Sequence, residues 1–158
     1  MQNDDFLKVN QEPTQFKLLL KSLSQSSRGG IYVLHCFENE KPRTIHRLFG
    51  HDTKGILYIG MTEGSLVNRV GALQQSLVDN ANTDEKEPAH SGHTQMGKKY
   101  FRIRKKIDID SLYIQVFPHE NPKQAETDAL ENYVKEYAEL PPLNGQYGSF
   151  DPEWSIFT

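Results

Sequence analysis

At 158 residues the chain is long enough for one domain with a real core, and its charged and apolar fractions, 25% and 36%, are those of a soluble globular protein. Its 21 acidic and 18 basic residues leave a net charge of −3, which excludes coating DNA by bulk charge but leaves room for an enzyme that meets nucleic acid through a metal and a local basic strip. No apolar run approaches a membrane span, the start MQNDDFLKVNQ lacks the regions of a signal peptide, and the single Cys36 excludes an internal disulfide, so a reducing cytoplasm and no membrane partner are expected.

In chain order, residues 1–12 are polar and expected to fray. EPTQFKLLLKSL places Pro13 near a start and Phe16, Leu19, Leu20 and Leu23 at helical spacing, which predicts an amphipathic helix; with the linker SQSSRGG it makes up residues 1–28. GIYVLHCF, residues 30–37, predicts a strand, and Ile56 to Ile59 its antiparallel partner. The long connection between them, about 38–54, is expected to hold a short strand at 44–49 and a turn at Lys54-Gly55. Ser65 is the expected N-cap of a helix to Val78 with Leu66, Val70, Leu73 and Leu77 on one face. DNANTDEKEPAHSGH reads as an exposed loop, TQMGKKYFRIRKK as a short basic helix or turn, and SLYIQVF as a strand. Asn121 and Pro122 then open a helix as N-cap and first helical residue. Beyond it lies a loop, with a tail at 149–158 whose Trp154, Ile156 and Phe157 need a surface to pack on. This order predicts an α+β fold with a small, about three-stranded, mainly antiparallel sheet flanked by helices.

Several residues carry chemistry. Tyr32 and Tyr58, on paired strands, bring two phenols to one region, where a phenol beside a cation can hold or deprotonate a water. Arg69 lies three residues beyond Leu66, at the edge of its helix's apolar face, where it can clamp a phosphate. On the last helix the stripe Leu130, Tyr133, Val134 and Tyr137 puts Glu131 at its margin and Glu126 nearer its middle, and helix geometry does not choose between them as a Mg²⁺ ligand. Lys98, Lys99, Arg102, Arg104, Lys105 and Lys106 form a basic run with Tyr100 and Phe101 interleaved, able to track a phosphate backbone. His90 and His93 precede it as a weak metal signal or a source of a general base.

Taken together, Gly30-Ile31-Tyr32, Tyr58-Ile59-Gly60, the following MTEGSLVNR with Arg69, and AETDALENYVKEYAELPPLN resemble the GIY-YIG nuclease family over roughly residues 29–148. The resemblance selects Glu131 as the metal-binding glutamate and Asn144 as the asparagine that closes the late motif. It implies the family's three-stranded antiparallel sheet and hydrolysis of a DNA phosphodiester with Mg²⁺ or Mn²⁺ on Glu131. Arg69 would stabilise the phosphoryl group, and Tyr32 and Tyr58 would position or activate water. Three features depart from the family pattern: the 38–54 connection is long, Met61 stands where many members have lysine, and Leu73 stands where many have His or Tyr. His93, ranked ahead of His90, is therefore the substitute base to look for. Specificity is expected from the connection, the basic run, a homodimer or a targeting partner. The competing expectation is a non-catalytic module that binds nucleic acid or protein on the same scaffold.

Overall fold

The computed structural model describes residues 6–23, 28–89 and 93–145. Among them the order is β1 (Leu7–Lys8), α1 (Pro13–Ser22), β2 (Gly30–Glu38), β3 (Lys41–Pro42), β4 (Ile45–Arg47), β5 (Gly50–Asp52), β6 (Ile56–Thr62), α2 (Leu66–Ala81), α3 (Thr94–Ile103), a 3₁₀ turn (Ile109–Ser111), β7 (Leu112–Pro118) and α4 (Pro122–Tyr137). The fold is α+β with an antiparallel sheet.

Strand β2 is central. Antiparallel partners flank it, with β7 in register from Gly30↔Pro118 to Cys36↔Leu112 and β6 from Gly30↔Thr62 to His35↔Ile56. Side chains alternate between the two faces of a strand. Tyr32, Leu34 and Cys36 enter the main core with Leu112 and Ile114 of β7 and with Leu66, Val70, Leu73 and Leu77 of α2. Val33 and Ile59, cross-strand partners, are buried on the opposite face. Burial on both faces explains why β2 reads as a nearly continuous apolar run.

Ser65 caps α2 as expected, its Oγ accepting from the Asn68 amide at 3.3 Å, and Asn121 caps α4 through the Gln124 amide. In α1, Phe16 and Leu20 are buried, but Leu19 of the expected stripe sits at 36% exposure. The frayed N-terminus expected for residues 1–12 is corrected for its described part. Leu7 pairs with Ile114, the Val9 amide donates to Leu112 at 3.0 Å, and Val9 is fully buried. Buried Gln74 donates to the Val9 and Gln11 carbonyls at 2.9 Å each, tying the segment to α2. Two apolar residues make too short a pattern to announce a strand; long-range partners create it. The expected 79–93 loop likewise begins as helix, with Asn80 buried and accepting from the Ala89 amide at 2.9 Å.

The 38–54 connection departs most from expectation. In place of one short strand at 44–49 it forms β3, which folds back antiparallel on the end of β2, and a separate β4–β5 hairpin. Its keystone is Asp52, 1% exposed, which accepts from the Lys54 amide at 2.8 Å, the Ile56 amide at 3.1 Å and the Tyr133 hydroxyl at 3.0 Å. One carboxylate thus ends the hairpin, starts β6 and anchors both to α4. Asp52→Ala, which strands two amides and a phenol, is expected to cost about 3 kcal/mol in urea unfolding and Tyr133→Phe about 1 kcal/mol; equal losses in the two variants would deny Asp52 this central role.

Candidate functional site

The register of β2 and β6 sets Tyr32 opposite Gly60 and Leu34 opposite Tyr58. The two phenol rings lie on the same face with centroids 6.2 Å apart. Gly60 is a strand residue, not a turn. A Cβ there would lie 2.6 Å from the Tyr32 ring and 2.7 Å from the Tyr58 ring, so the aromatic pair, not backbone curvature, demands glycine.

Arg69 stands one turn into α2, between buried Leu66 and Val70, and remains largely exposed. Its Nε donates to the Tyr32 hydroxyl at 3.4 Å and its Nη2 to His93 Nε2 at 3.1 Å. His93 is the N-cap of α3, only 6% exposed, and its ring meets Tyr58 edge-on at 6.4 Å. A guanidinium can only donate, so Nε2 accepts and the ring proton of the neutral imidazole sits on Nδ1. The Met96 amide also approaches Nδ1, at 3.4 Å, but a neutral ring has one lone pair to give. The shorter, charge-assisted contact with Arg69 takes it.

Burial, then the Arg69 charge, pushes His93 down to about 4, so the imidazole is neutral at physiological pH. Burial raises both phenols, and the Arg69 contact only partly offsets this at Tyr32. Both tyrosines are therefore protonated at neutral pH. The negative charge of Glu126 adds to the rise at each.

Glu126 is the carboxylate that joins this group. It lines a cleft of about 220 Å³ with Tyr58, His93, Lys99, Leu130 and Asn144. Glu131, the glutamate expected there, does not. Five residues further on, it lies about 140° around α4. It is exposed and lines a separate apolar depression with Leu130, Val134, Lys135 and Leu140. The buried side of α4 centres on Pro122, Tyr133 and Tyr137, whereas Val134, expected in the stripe, is 37% exposed; this rotation turns Glu126 inward and Glu131 out.

The other expected site residues divide. Asn144 lies at the cleft, but its carboxamide accepts from the Ile59 amide and donates to the Ile59 carbonyl, both at 2.8 Å. With the Leu143 amide donating to Leu57 at 2.8 Å, it covers the open edge of β6, so Asn144 holds the site strand while its second amide hydrogen is left over at the cleft. Of the basic run, Lys99 enters the cleft and donates to the Leu143 and Gly145 carbonyls. Arg104 stacks on Phe101, its guanidinium carbon 3.8 Å from the ring centroid. Lys98, Arg102, Lys105 and Lys106 are exposed. Tyr100 is not an interleaved surface aromatic: it is buried, its hydroxyl donating to Ile107 at 2.8 Å. His90 and the aromatic tail lie outside the described residues. The cleft position of Lys99 had a signal in the sequence, since it follows Met96 by three residues on the face that buries Met96 and Tyr100.

Set against protein-family models, curated proteins and solved structures, the chain matches none. Among the described residues no group of three or more His, Cys, Asp or Glu is arranged to hold a metal, and no helix is long and apolar enough to cross a membrane.

The low affinity of His93 for a proton has a definite sign. The unfolded chain binds that proton near 6.5 and the folded chain only near 4, so stability is lost as pH falls between these values. Buried His35, its Nδ1–H donating to the Lys54 carbonyl at 2.8 Å, is pushed down by burial and acts in the same direction. His93→Gln is expected to make the fall in Tm on acidification shallower than in wild type, with His35 among the groups that supply the remaining slope. An unchanged slope would mean that His93 is already charged in the folded protein.

Proposed function

We propose that the chain is a DNA endonuclease that hydrolyses phosphodiester bonds with Mg²⁺ or Mn²⁺, on a scaffold of the GIY-YIG kind. The observation that carries this reading is a cleft lined by Tyr58, His93 and Glu126, with Arg69 hydrogen-bonded to His93 and to Tyr32, whose ring neighbours Tyr58. These residues are drawn from four elements, β2, β6, α2 and α4, and from the cap of α3.

A divalent cation suits the residues present. The Glu126 carboxyl is raised by burial, and no donor or cation among the described residues bonds to it. A desolvated carboxylate of this kind is relieved by a cation. Mg²⁺ commonly takes only one or two protein carboxylates and completes its shell with water and phosphate oxygens. Glu126 would hold the ion, which when bound would neutralise phosphate charge and acidify a water.

The chain's own residues supply the remaining steps. Arg69 is exposed to solvent, and a phosphodiester, with one negative charge shared by two non-bridging oxygens, competes for its guanidinium better than a neutral imidazole does. Once Arg69 engages the phosphate, His93 Nε2 recovers its lone pair and accepts the proton of the attacking water. Tyr32 and Tyr58, held protonated by burial, orient water and phosphate as hydrogen-bond partners rather than acting as bases. Exposed Lys98, Arg102, Lys105 and Lys106 follow the backbone beyond the cleft.

Supercoiled plasmid tests the reading. Purified protein is expected to nick or linearise it with Mg²⁺ or Mn²⁺ and not with EDTA. Glu126→Gln and Arg69→Ala should each slow cleavage by roughly 100-fold or more, as loss of a transition-state charge partner does, while Glu131→Gln should leave the rate within about 2-fold. A folded wild type that binds DNA without cutting it, indifferent to Glu126→Gln, would support the non-catalytic module instead. A large loss with Glu131→Gln alone would move the metal to the other face of α4.

A further inference from the structure

Of the seven large apolar side chains exposed among the described residues, four gather at one place outside the cleft; Leu18 and Leu19 on α1 and Phe117 on β7 are the others. Leu48 and Phe49, at the tip of the β4–β5 hairpin, are 72% and 64% exposed. Beside them Leu130, Val134 and Leu140 line an apolar depression of about 310 Å³ on α4 and the turn that follows it. An exposed apolar cluster beside a matching hollow marks an interaction surface more often than chance.

The hairpin tip is firmly held. Arg47 pairs with Glu139 at 2.7 Å and donates to the Leu140 carbonyl at 2.7 Å, and the Leu48 amide donates to Glu139 at 3.2 Å. The Arg47 guanidinium also stands 5.9 Å from the centre of the Tyr133 ring. Leu48 and Phe49 are thus presented on a braced platform, and little conformational entropy remains to be lost when they are covered.

Charge identifies the occupant. Arg47 is neutralised by Glu139, and the rim of the depression carries one acid and one base, Glu131 and Lys135, which form no ion pair with each other. A balanced rim does not attract a polyanion, which argues against nucleic acid. Two opposite charges one helical turn apart are what a twofold axis matches, because antiparallel apposition sets each Glu131 against the other copy's Lys135. The same apposition lets each tip enter the other copy's depression, since projection and hollow lie side by side on one face.

We propose that this face is self-complementary and that a second copy of the chain covers it. The hairpin of each protomer then seats Leu48 and Phe49 against the partner's α4. Leu130 lines both this depression and the cleft, so the interface borders the candidate active site and the two clefts of a dimer lie close to their shared axis. The inference does not depend on catalysis.

Sedimentation velocity from low micromolar to several hundred micromolar tests it directly. Wild type is expected to show a concentration-dependent monomer–dimer equilibrium. Leu48→Asp with Phe49→Asp, both exposed and so compatible with folding as checked by circular dichroism, should weaken association roughly 100-fold. Glu131→Lys and Lys135→Glu should each weaken it, and the two together should restore it. A wild type that stays monomeric throughout, or a dimer indifferent to the tip substitutions, would overturn the proposal. So would tip variants that lose binding to a short DNA duplex without any change in mass.

Discussion

The Tyr32 ring lies over Gly60, and the rest of the site depends on that contact. A side chain at position 60 would occupy the space of both phenol rings. Because none is there, β2 and β6 stay paired with their tyrosines on one face, and the Tyr32 hydroxyl comes within reach of Arg69. The ring is also core: Tyr32 is 1% exposed and packs with Leu66 and Val70, the residues that orient the first turns of α2. Core packing and the polar contact with Arg69 use the same side chain here, so a change at Tyr32 is felt by both.

From that contact the electrostatics of the cleft follow. One guanidinium serves two neighbours, a phenol whose acidity burial suppresses and an imidazole whose basicity burial suppresses. Facing them is a carboxylate that burial makes reluctant to ionise. Desolvation is the leading cause at each of these groups, and an anionic ligand with a cation would relieve all of it together. A cleft whose titratable groups are poorly solvated and lie beside one exposed cation is suited to a ligand bringing its own charge.

A second organising centre lies at the far end of α4. Asp52 joins the hairpin to β6 and to Tyr133, and Glu139 clasps Arg47 and the Leu48 amide. Two carboxylates thereby turn a long connection into a fixed projection. The energy that holds Leu48 and Phe49 in water comes from these polar anchors, not from burial of the tip itself.

Much of this was legible in the residues. Helix caps at Ser65 and Asn121 and the apolar spacing of α2 are local properties, decided by backbone groups a few residues apart, so sequence alone determined them. The antiparallel pairing of the two tyrosine strands was readable as a hairpin, whereas the nearness of Arg69 to them was only what the family resemblance implied. Tertiary structure alone decided the rest. The N-terminal strand exists only because β7 offers it partners, and the hairpin exists because buried Asp52 collects donors from three places. Which of Glu126 and Glu131 lines the cleft turned on the roll of α4 about its own axis. That roll is set by Tyr133 and Tyr137, the part of the apolar stripe that packs against the hairpin, while Val134 of the same stripe is left exposed. A helical repeat places residues around an axis, but only the neighbours that cover one side determine which way the axis is turned.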